Sequence, residues 1–395
     1  MTAIVVAGAV FFAGWDLLDA HGLKPEHRID SKTLFDLVKL SFGVVAGAGA
    51  LVALVVAYRR QRVDEDGALR DATRLHNERF TTAVSQLGDA SPAVQLGGVH
   101  ALAGLADDAP TRELRQTCID VLCAYLRLPY TAEAALDPAD QNARHAYLAV
   151  REVRHTVIRL IRDHLRLSCE HVHSWQGHDL DFTGCHFDGG SFDGAVFSGG
   201  RVVFTGARFA DGTVTFTDAE FSSGTVGFAA EFSGGTVQFG ARFSGGTVDF
   251  THARFTGSTV DFSDARFSGG IIDFTAARFS AGTVTFATAE ISGGTLIFTV
   301  ARFSGGTVDF THARFSGSTV TFTGAWFSGG TIAFVMADFS RSTVDFTGAR
   351  FSGSTVRFSQ ATGSIPPVGL VPPTGQPVPG GLLLPLAWHM HMPTS

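Results

Sequence analysis

Residues 247–258 read Thr-Val-Asp-Phe-Thr-His-Ala-Arg-Phe-Thr-Gly-Ser, and close variants of this unit recur from Phe204 to Phe358. Phenylalanine returns at alternating spacings of five and seven, as at Phe250, Phe255 and Phe262. A fixed period that persists over many units is typical of a stacked solenoid, in which each unit buries its apolar face against the next. The repeat therefore decides the architecture of this half of the chain.

Each unit contains two short segments with the periodicity of a β-strand. Val and Phe lie two residues apart in the first segment, and Ala and Phe lie two apart in the second, so the members of each pair face one way. The residues between them are often charged, for example Asp249 and Arg254, and must face water. Gly-Gly, Gly-Ser or Ser-Gly pairs follow the second segment, where the chain needs backbone angles that glycine adopts most easily. These features predict short strands around stacked phenylalanines.

A stricter pattern precedes these longer units. Its phenylalanines lie five residues apart, and each has a small or apolar residue two positions before it: Phe182, Phe187, Phe192 and Phe197, preceded by Leu180, Cys185, Gly190 and Ala195. The stretch Asp181–Gly189 resembles the pentapeptide-repeat family, and the resemblance covers about residues 179–360. It implies a right-handed, four-sided β-helix whose core is filled by the bulky residue and the small residue two before it.

Two coil lengths are compatible with the repeat. Two units per turn give a four-sided coil, whereas one unit per turn gives a flat coil of two sheets. The four-sided coil is favoured because the Phe-x-x-Ala corner of the unit is identical to the corner of the strict pentapeptides. Two units, at Phe228–Phe232 and Phe239–Phe243, shorten the spacing from five to four and predict a local kink.

The N-terminal part contains a segment suited to a bilayer. Leu40 to Tyr58 is an uninterrupted run without charge, long enough to cross the hydrocarbon core as a helix. Arg59, Arg60 and Arg62 follow at once, and the positive-inside rule then places the remaining chain in the cytoplasm.

A second apolar stretch lies at the start of the chain. Residues 1–18 predict another span, joined to the first by a short external loop at 16–39. Residues 1–58 are therefore expected to form a transmembrane helical hairpin, and the protein to be a multi-pass protein of the cell membrane with most of its chain in the cytoplasm.

Residues 59–168 have a helical apolar period, which predicts a small all-α cytoplasmic domain. Ser91 and Pro92 supply an N-cap and a first-turn proline for one helix, and a second helix is expected from Thr111 to Leu128. The last helix, about Asp140 to Leu167, is expected to bury four apolar residues: Leu148, Val153, Val157 and Ile161.

Two further segments flank the repeat in this organisation. Gln86 to Leu102 resembles the helical part that joins membrane helices to pentapeptide repeats in actinobacterial proteins, and also a single HEAT-type helical pair. That resemblance implies an architecture but no activity. Residues 361–395 form a proline-rich tail, whose Leu382–Leu384 and Trp388 are expected to fold back over the end of the solenoid.

Cysteine and histidine are dense at 169–186, at the start of the predicted β-helical domain, which comprises residues 169–360. Cys169, His171 and His173 would share one face of a strand, and such a set can bind zinc. No second closely spaced pair completes a tetrahedral site, and Cys185 occupies an inward position of the repeat. A polar cap at the start of the solenoid is therefore favoured, and neither a metal nor a cofactor is predicted. The four cysteines are too few and too scattered for a disulfide framework, which indicates a reducing compartment.

Charged and hydroxyl residues recur at fixed positions of the unit. Arginine usually precedes the second phenylalanine and aspartate often precedes the first, so each becomes a column in a stacked coil. Like charges in neighbouring rungs repel unless a column of opposite sign lies nearby, so a mutually neutralised surface is favoured over a ligand-binding stripe. Threonine makes a third column, broken once by Ile271. Such arrays occur in ice-binding proteins, but the adjoining aspartates argue against that function.

Composition and motifs limit the classes of function that the sequence supports. The net charge of −7 does not favour nucleic acid as a partner, and no nucleophile elbow, P-loop or HExxH motif occurs, so an enzyme is not predicted. No residue is assigned a catalytic, cofactor-binding or metal-binding role. The sequence predicts a membrane-anchored, non-catalytic scaffold that presents a rigid β-helical surface to an unidentified protein partner, and it is compatible with a homo-oligomer. The alternative is a DNA mimic that regulates a topoisomerase or another DNA-binding protein, as some proteins with this repeat do.

Overall fold

A computed structural model describes Asp16 and residues 30–133, 136–363, 366–371 and 378–389. The chain divides into two compact units, Met1–Leu75 and His76–Ser395. The helices of the described residues are α1 (Ser31–Leu87), α2 (Pro92–Asp107), α3 (Arg112–Arg127), α4 (Gln141–Leu165) and α5 (Leu386–His389).

Helix α1 contains the longer apolar run of the sequence. Within the described residues it is the one helix that is long and apolar enough to cross a membrane, by length and composition alone. The apolar side chains of this run are exposed, with Leu51 at 65%, Val52 at 64% and Leu54 at 68%. The predicted first span at residues 1–18 lies outside the described residues apart from Asp16, so the hairpin is not confirmed.

Helices α2 to α4 begin where the sequence predicts. Ser91 and Pro92 start α2, although the Ser91 side chain makes no capping hydrogen bond. The hydroxyl of Thr111 and the carboxylate of Asp140 each accept a hydrogen bond from a backbone amide three residues later, at 3.3 and 2.9 Å, and so cap α3 and α4. The helices bury their apolar stripes in one continuous core with the solenoid.

One predicted core residue of α4 is wrong. Three of the four are buried, but Leu148 is 42% exposed. Its neighbour Tyr147 turns inward instead, and the Tyr147 hydroxyl donates to the buried carboxylate of Asp188 at 2.8 Å. Because successive residues of a helix point about 100° apart, burial of Tyr147 leaves Leu148 at the edge of the interface.

Two parallel sheets form a β-solenoid of about eight turns within the described residues. The first sheet has 11 strands: β1 (Leu180–Asp181), β4 (Val196–Val203), β7 (Glu220–Gly227), β10 (Arg242–Phe243), β11 (Thr247–Asp249), β13 (Arg266–Phe267), β14 (Ile271–Asp273), β16 (Glu290–Ile291), β17 (Thr295–Ile297), β19 (Arg314–Thr321) and β21 (Asp338–Asp345). The second sheet has 13 strands: β2 (His186–Phe187), β3 (Gly190–Ser191), β5 (Arg208–Phe209), β6 (Thr213–Thr215), β8 (Glu231–Phe232), β9 (Thr236–Gln238), β12 (Arg254–Asp261), β15 (Arg278–Thr285), β18 (Arg302–Asp309), β20 (Trp326–Ala333), β22 (Arg350–Phe351), β23 (Thr355–Arg357) and β24 (Leu382–Leu383).

Strand pairing fixes the coil at two units per turn. In the second sheet Arg254 pairs with Arg278, which in turn pairs with Arg302. In the first sheet Thr247 pairs with Ile271. Each turn therefore contains two units, whose corresponding segments lie in different sheets, and the longer of the two predicted coils is confirmed.

Stacked phenylalanines fill the core. Rings in successive turns lie nearly parallel, with centroids 4.6 Å apart for Phe250 on Phe274 and 4.7 Å for Phe255 on Phe279. Within one turn, Phe250 and Phe262 meet edge to face at 5.9 Å. These rings are almost wholly buried, so hydrophobic burial and aromatic packing stabilise the coil along its length.

Each of the two short units differs from a full unit by the loss of one corner residue. A full corner holds a residue with left-handed backbone, such as His252 at φ 61°. In the short units the carbonyls of Phe228 and Phe239 accept from an amide two residues later, at 2.6 Å, and the left-handed residue is absent. Phe239 still stacks at 4.8 Å on the rings of the turns before and after it. The predicted irregularity is thus confined to the corners.

The last turn of the solenoid is covered by the tail. Strand β24 pairs with β23, and Trp388 in α5 is fully buried with its ring 5.4 Å from that of Phe358. The Trp388 indole nitrogen donates to the Gly363 carbonyl at 3.1 Å. The predicted fold-back of the tail is confirmed, and it shields a sheet edge that would otherwise pair with other chains.

Candidate binding surface

The two-unit coil sorts the residues that precede the second phenylalanine into two outward columns. The column on the first sheet is Val196, Glu220, Arg242, Arg266, Glu290, Arg314 and Asp338. The column on the second sheet is His186, Arg208, Glu231, Arg254, Arg278, Arg302, Trp326 and Arg350. The single arginine pattern of the sequence therefore becomes two surfaces of different chemistry.

The column on the first sheet compensates its own charge. Glu290 lies between two arginines, with Arg266 Nε 3.7 Å from one carboxylate oxygen and Arg314 3.5 Å from the other. Glu220 and Asp338 flank the remaining positions. Because these pairs are exposed, each contributes at most about 1 kcal/mol, but together they leave little net charge on this face.

The column on the second sheet is basic over its C-terminal half. Arg254, Arg278 and Arg302 occupy consecutive turns, and among the described residues none of them forms an ion pair with a carboxylate. The next position is Trp326, which is 44% exposed and lies under the guanidinium of Arg302 at 5.6 Å and of Arg350 at 4.9 Å. We call these five residues the basic ladder.

A second wall runs beside the basic ladder. It consists of hydroxyl residues two positions after each ladder residue: Thr256, Ser280, Ser304 and Ser328. Their hydroxyls donate to phenylalanine carbonyls of the preceding turn at 3.2–3.5 Å. Between the two walls lies a groove of about 400 Å³, with guanidinium groups and the Trp326 ring on one side and hydroxyl oxygens on the other.

The aspartates do not neutralise the basic ladder as the sequence suggests. Asp249, Asp261, Asp273, Asp309 and Asp345 each accept a hydrogen bond from the backbone amide two residues later, at 2.7–2.9 Å. They therefore hold the corners of the coil in the manner of Asx-turns. Among the described residues none of these aspartates forms an ion pair with an arginine of either column, so the expected pairing of arginine columns with aspartate columns is not observed.

The threonines form two separate columns. Thr236, Thr259, Thr283, Thr307 and Thr331 follow one another without a break on the second sheet. The interruption at Ile271 belongs to the first sheet. The two columns lie on different sheets, which does not favour the paired, flat threonine array of an ice-binding face.

The cysteine and histidine cluster is not built on a strand. Cys169, His171 and His173 lie in consecutive turns, and the His171 ring accepts from the His173 amide at 3.1 Å. Cys185 is buried, and its thiol donates to the Leu126 carbonyl at 3.2 Å. Among the described residues no group of three or more His, Cys, Asp or Glu could hold a metal ion. The prediction that Cys169, His171 and His173 share one face of a strand is therefore wrong.

A buried carboxylate organises the start of the solenoid. The hydroxyls of Tyr130 and Tyr147 donate to Asp188 at 2.5 and 2.8 Å, and His155 and Arg151 lie 3.2 and 3.3 Å from it. Burial by itself raises the pKa of Asp188, but the hydrogen bonds from His155 and the two tyrosines outweigh burial and hold that pKa well below its ordinary value. Burial raises the pKa of Tyr147 to about 12, so its hydroxyl stays protonated as a donor.

Arg154 joins the helices to the first turns. Its guanidinium is buried, donates to the carbonyls of Leu126 and His186 at 2.8 and 2.7 Å, and lies 4.3 Å from the centre of the Tyr130 ring. Hydrogen bonds within the chain thus connect α3 and α4 to the first turns of the solenoid. Sequence reasoning missed this network because its members come from three separate segments, 126–130, 147–155 and 186–188.

The fold and surface place the molecule in one class. It is a parallel β-solenoid with regular phenylalanine stacks, consistent with a pentapeptide-repeat-like fold. The chain matches no protein-family model, and comparisons with curated proteins and with solved structures give no similar protein. Its function must therefore be argued from its own geometry.

Proposed function

We propose that this protein is a membrane-anchored, non-catalytic scaffold whose solenoid presents a protein-binding surface in the cytoplasm. In this proposal the chain is a divergent member of the pentapeptide-repeat family with a right-handed coil, the hand that parallel crossovers almost always take. The helix at residues 40–58 is the anchor, and the arginines that follow it set the orientation.

One observation carries the proposal. The basic ladder is an exposed, charged surface whose arginines form no ion pair with a carboxylate among the described residues, and it lies on a sheet whose core is continuous and well packed. Arginine and tryptophan are the residues most enriched where proteins bind one another tightly. A rigid support with such a surface loses little conformational freedom when a partner docks.

The experiment is a crosslinking capture from native membranes with three excision variants. The three variants lack residues 208–253, 254–301 and 302–349. Each excision joins an alanine to an arginine that occupies the same column position as the first residue removed, because Arg208, Arg254, Arg302 and Arg350 share one column. Each variant keeps the anchor and the helices, and the first two also keep the turn that the tail covers. A partner lost with at least one excision supports the scaffold function.

Two outcomes would count against the proposal. If all three variants capture the same proteins as the intact chain, the solenoid presents nothing and serves as a spacer. If the captured partner is a topoisomerase and the purified protein inhibits supercoiling, the protein is a regulator of DNA topology, which the sequence admits as the alternative.

A further inference from the structure

The groove beside the basic ladder has two walls of different hydrogen-bonding character. Guanidinium groups can only donate, and those of Arg254 and Arg278 have no ionic partner among the described residues. The hydroxyl hydrogens of the opposite wall already point to backbone carbonyls, as for Ser280 and Ser328 at 3.2 and 3.4 Å. Their oxygens therefore offer acceptors to the groove.

We propose that this groove binds an extended acidic peptide segment of the partner protein. A peptide supplies both complements, because its carboxylates accept from arginine and its backbone amides donate to the hydroxyl wall. This inference rests on the scaffold function and names the chemistry of the partner that the scaffold would bind.

The length of the groove sets the length of the segment. The basic ladder from Arg254 to Arg350 covers five turns, and adjacent strands lie about 4.8 Å apart, so the ladder is about 19 Å long. An extended chain rises about 3.3 Å per residue, so about six residues fit along it. With side chains alternating in direction, about three carboxylates would face the four arginines.

Trp326 adds a contact that charge alone does not supply. Its ring interrupts the arginine series between Arg302 and Arg350 and interacts with both guanidinium groups, which keeps these side chains extended along the surface. The exposed part of its side chain is available to an apolar residue of the segment. A motif of acidic residues with one apolar or aromatic residue is therefore the expected ligand.

A planar anionic membrane fits the same surface less well. Asp261 and Asp309 lie at the far ends of strands β12 and β18, whose first residues are Arg254 and Arg302. A flat anionic surface pressed on this sheet would meet these carboxylates too, whereas a narrow segment along the ladder would not. A DNA backbone offers acceptors only and leaves the hydroxyl wall without donors.

The test measures peptide binding to the full-length protein in detergent micelles. The probe is a labelled eight-residue peptide of alternating Glu and Ala, with alternating Gln and Ala as the uncharged control. We expect the triple variant R254Q/R278Q/R302Q to bind the acidic probe at least about tenfold more weakly. The matched control R242Q/R266Q/R314Q removes the same charge from the other sheet and should bind within about twofold of the intact protein.

A second readout uses Trp326 directly. Trp175 and Trp388 are fully buried, so in a Trp15→Phe background the tryptophan fluorescence accessible to acrylamide should come mainly from Trp326. Bound acidic peptide should reduce its quenching, and added NaCl should restore it. Far-UV circular dichroism of each variant checks that the exposed substitutions leave the solenoid folded.

Three outcomes would overturn the peptide assignment. They are equal weakening in both triple variants, no weakening in either, and ladder-dependent binding of an oligo-dT strand, or of vesicles made from equal parts of phosphatidylserine and phosphatidylcholine, without binding of the peptide. The scaffold function is judged separately. If excision of 254–301 removes a cellular partner that R254Q/R278Q/R302Q retains, the scaffold stands and the acidic-peptide site fails.

Discussion

Val300 sits at a corner of the coil with φ 49°, a left-handed conformation that β-branched residues rarely adopt. Most corresponding corners hold aspartate, histidine, threonine or glycine, for example His252 and Gly324, and the others hold alanine, methionine or glutamine. Because the Val300 side chain is 46% exposed, its packing repays little of the backbone cost. Corner residues of this kind mark positions where the repeat carries a residue that is unfavourable for its backbone conformation.

Replacement of Val300 by glycine should therefore stabilise the solenoid. Left-handed backbone costs an L-residue about 1–2 kcal/mol, and the extra freedom of glycine in the unfolded chain returns part of that, so we expect a gain of about 0.5–1 kcal/mol. Chemical denaturation followed by circular dichroism would measure it. The matched variant Thr299→Gly, at a neighbouring position with ordinary backbone angles, should instead lose stability; a loss in both variants would contradict the strain argument.

His178 gives the start of the solenoid an acid sensitivity. Its Nδ1 donates to the Gln116 side chain at 3.0 Å. Burial, followed by the charges of Arg112 and Arg115, lowers its pKa to about 4. Burial also lowers the pKa values of His76 and His186.

Stability should fall as the pH drops from 6.5 towards 4. In that range the unfolded chain binds a proton at residue 178 that the folded chain rejects, so protonation favours unfolding. Thermal unfolding at pH 7 and pH 5 should show a smaller difference for His178→Gln than for the intact protein, by about 1 kcal/mol after allowance for solvent screening. An identical pH dependence in both proteins would exclude His178 as a source.

At the scale of the elements, the coil was predictable and its surfaces were not. The Phe-x-x-Ala corner indicates the turn, and the paired units indicate the stacked rings. The chemistry of the columns depends on which units become neighbours, since Arg254 meets Arg278 only in a coil of two units. The role of Asp249 as a corner cap and the turn of Tyr147 towards Asp188 depend on backbone and tertiary contacts that periodicity does not contain.

An excision in register should leave a folded protein. Removal of 278–301 joins Ala277 to Arg302, whose column position is that of Arg278, so every ring above the cut regains a stacking partner. We expect a monodisperse protein with an unchanged shape of the far-UV spectrum. Removal of 278–295 takes away only part of a turn and should misplace the rings, giving aggregation in size-exclusion chromatography; equal behaviour of the two variants would contradict the fixed coil.

At the scale of the whole molecule, two features bear on location. Helix α1 carries the exposed apolar run, with Leu51 and Leu54 among its most exposed side chains. Cys169 is the exposed cysteine of the chain, whereas Cys118, Cys123 and Cys185 are buried. The first feature allows the anchor to be tested, and the second allows the side of the membrane to be tested.

Arginine in the apolar run should release the protein from membranes. Each arginine at the centre of a span costs about 2.5–3.5 kcal/mol, so Leu51→Arg with Leu54→Arg should shift the chain to the soluble fraction after alkaline extraction. The control pair, Leu69→Arg with Leu75→Arg, lies further along the same helix and should stay with the membrane. Retention of the first pair in the membrane would show that residues 40–58 are not required for anchoring.

Cys169 should report a cytoplasmic location. A membrane-impermeant maleimide added to intact cells should leave the protein unlabelled, and permeabilisation should allow labelling that Cys169→Ser abolishes. Labelling in intact cells would place the solenoid outside and would reverse the orientation given by the positive-inside rule.

The face of the solenoid on which a repeated position is displayed depends on whether its unit is odd or even in the series. Within the described solenoid, the residue before the second phenylalanine lies on one sheet in odd units and on the other sheet in even units, so odd and even units contribute this residue to different faces. A gene duplication of one unit would exchange the faces of everything downstream, whereas a duplication of two units would lengthen each face without mixing them. Growth of such a protein by pairs of units can therefore extend a binding surface that growth by single units would scramble.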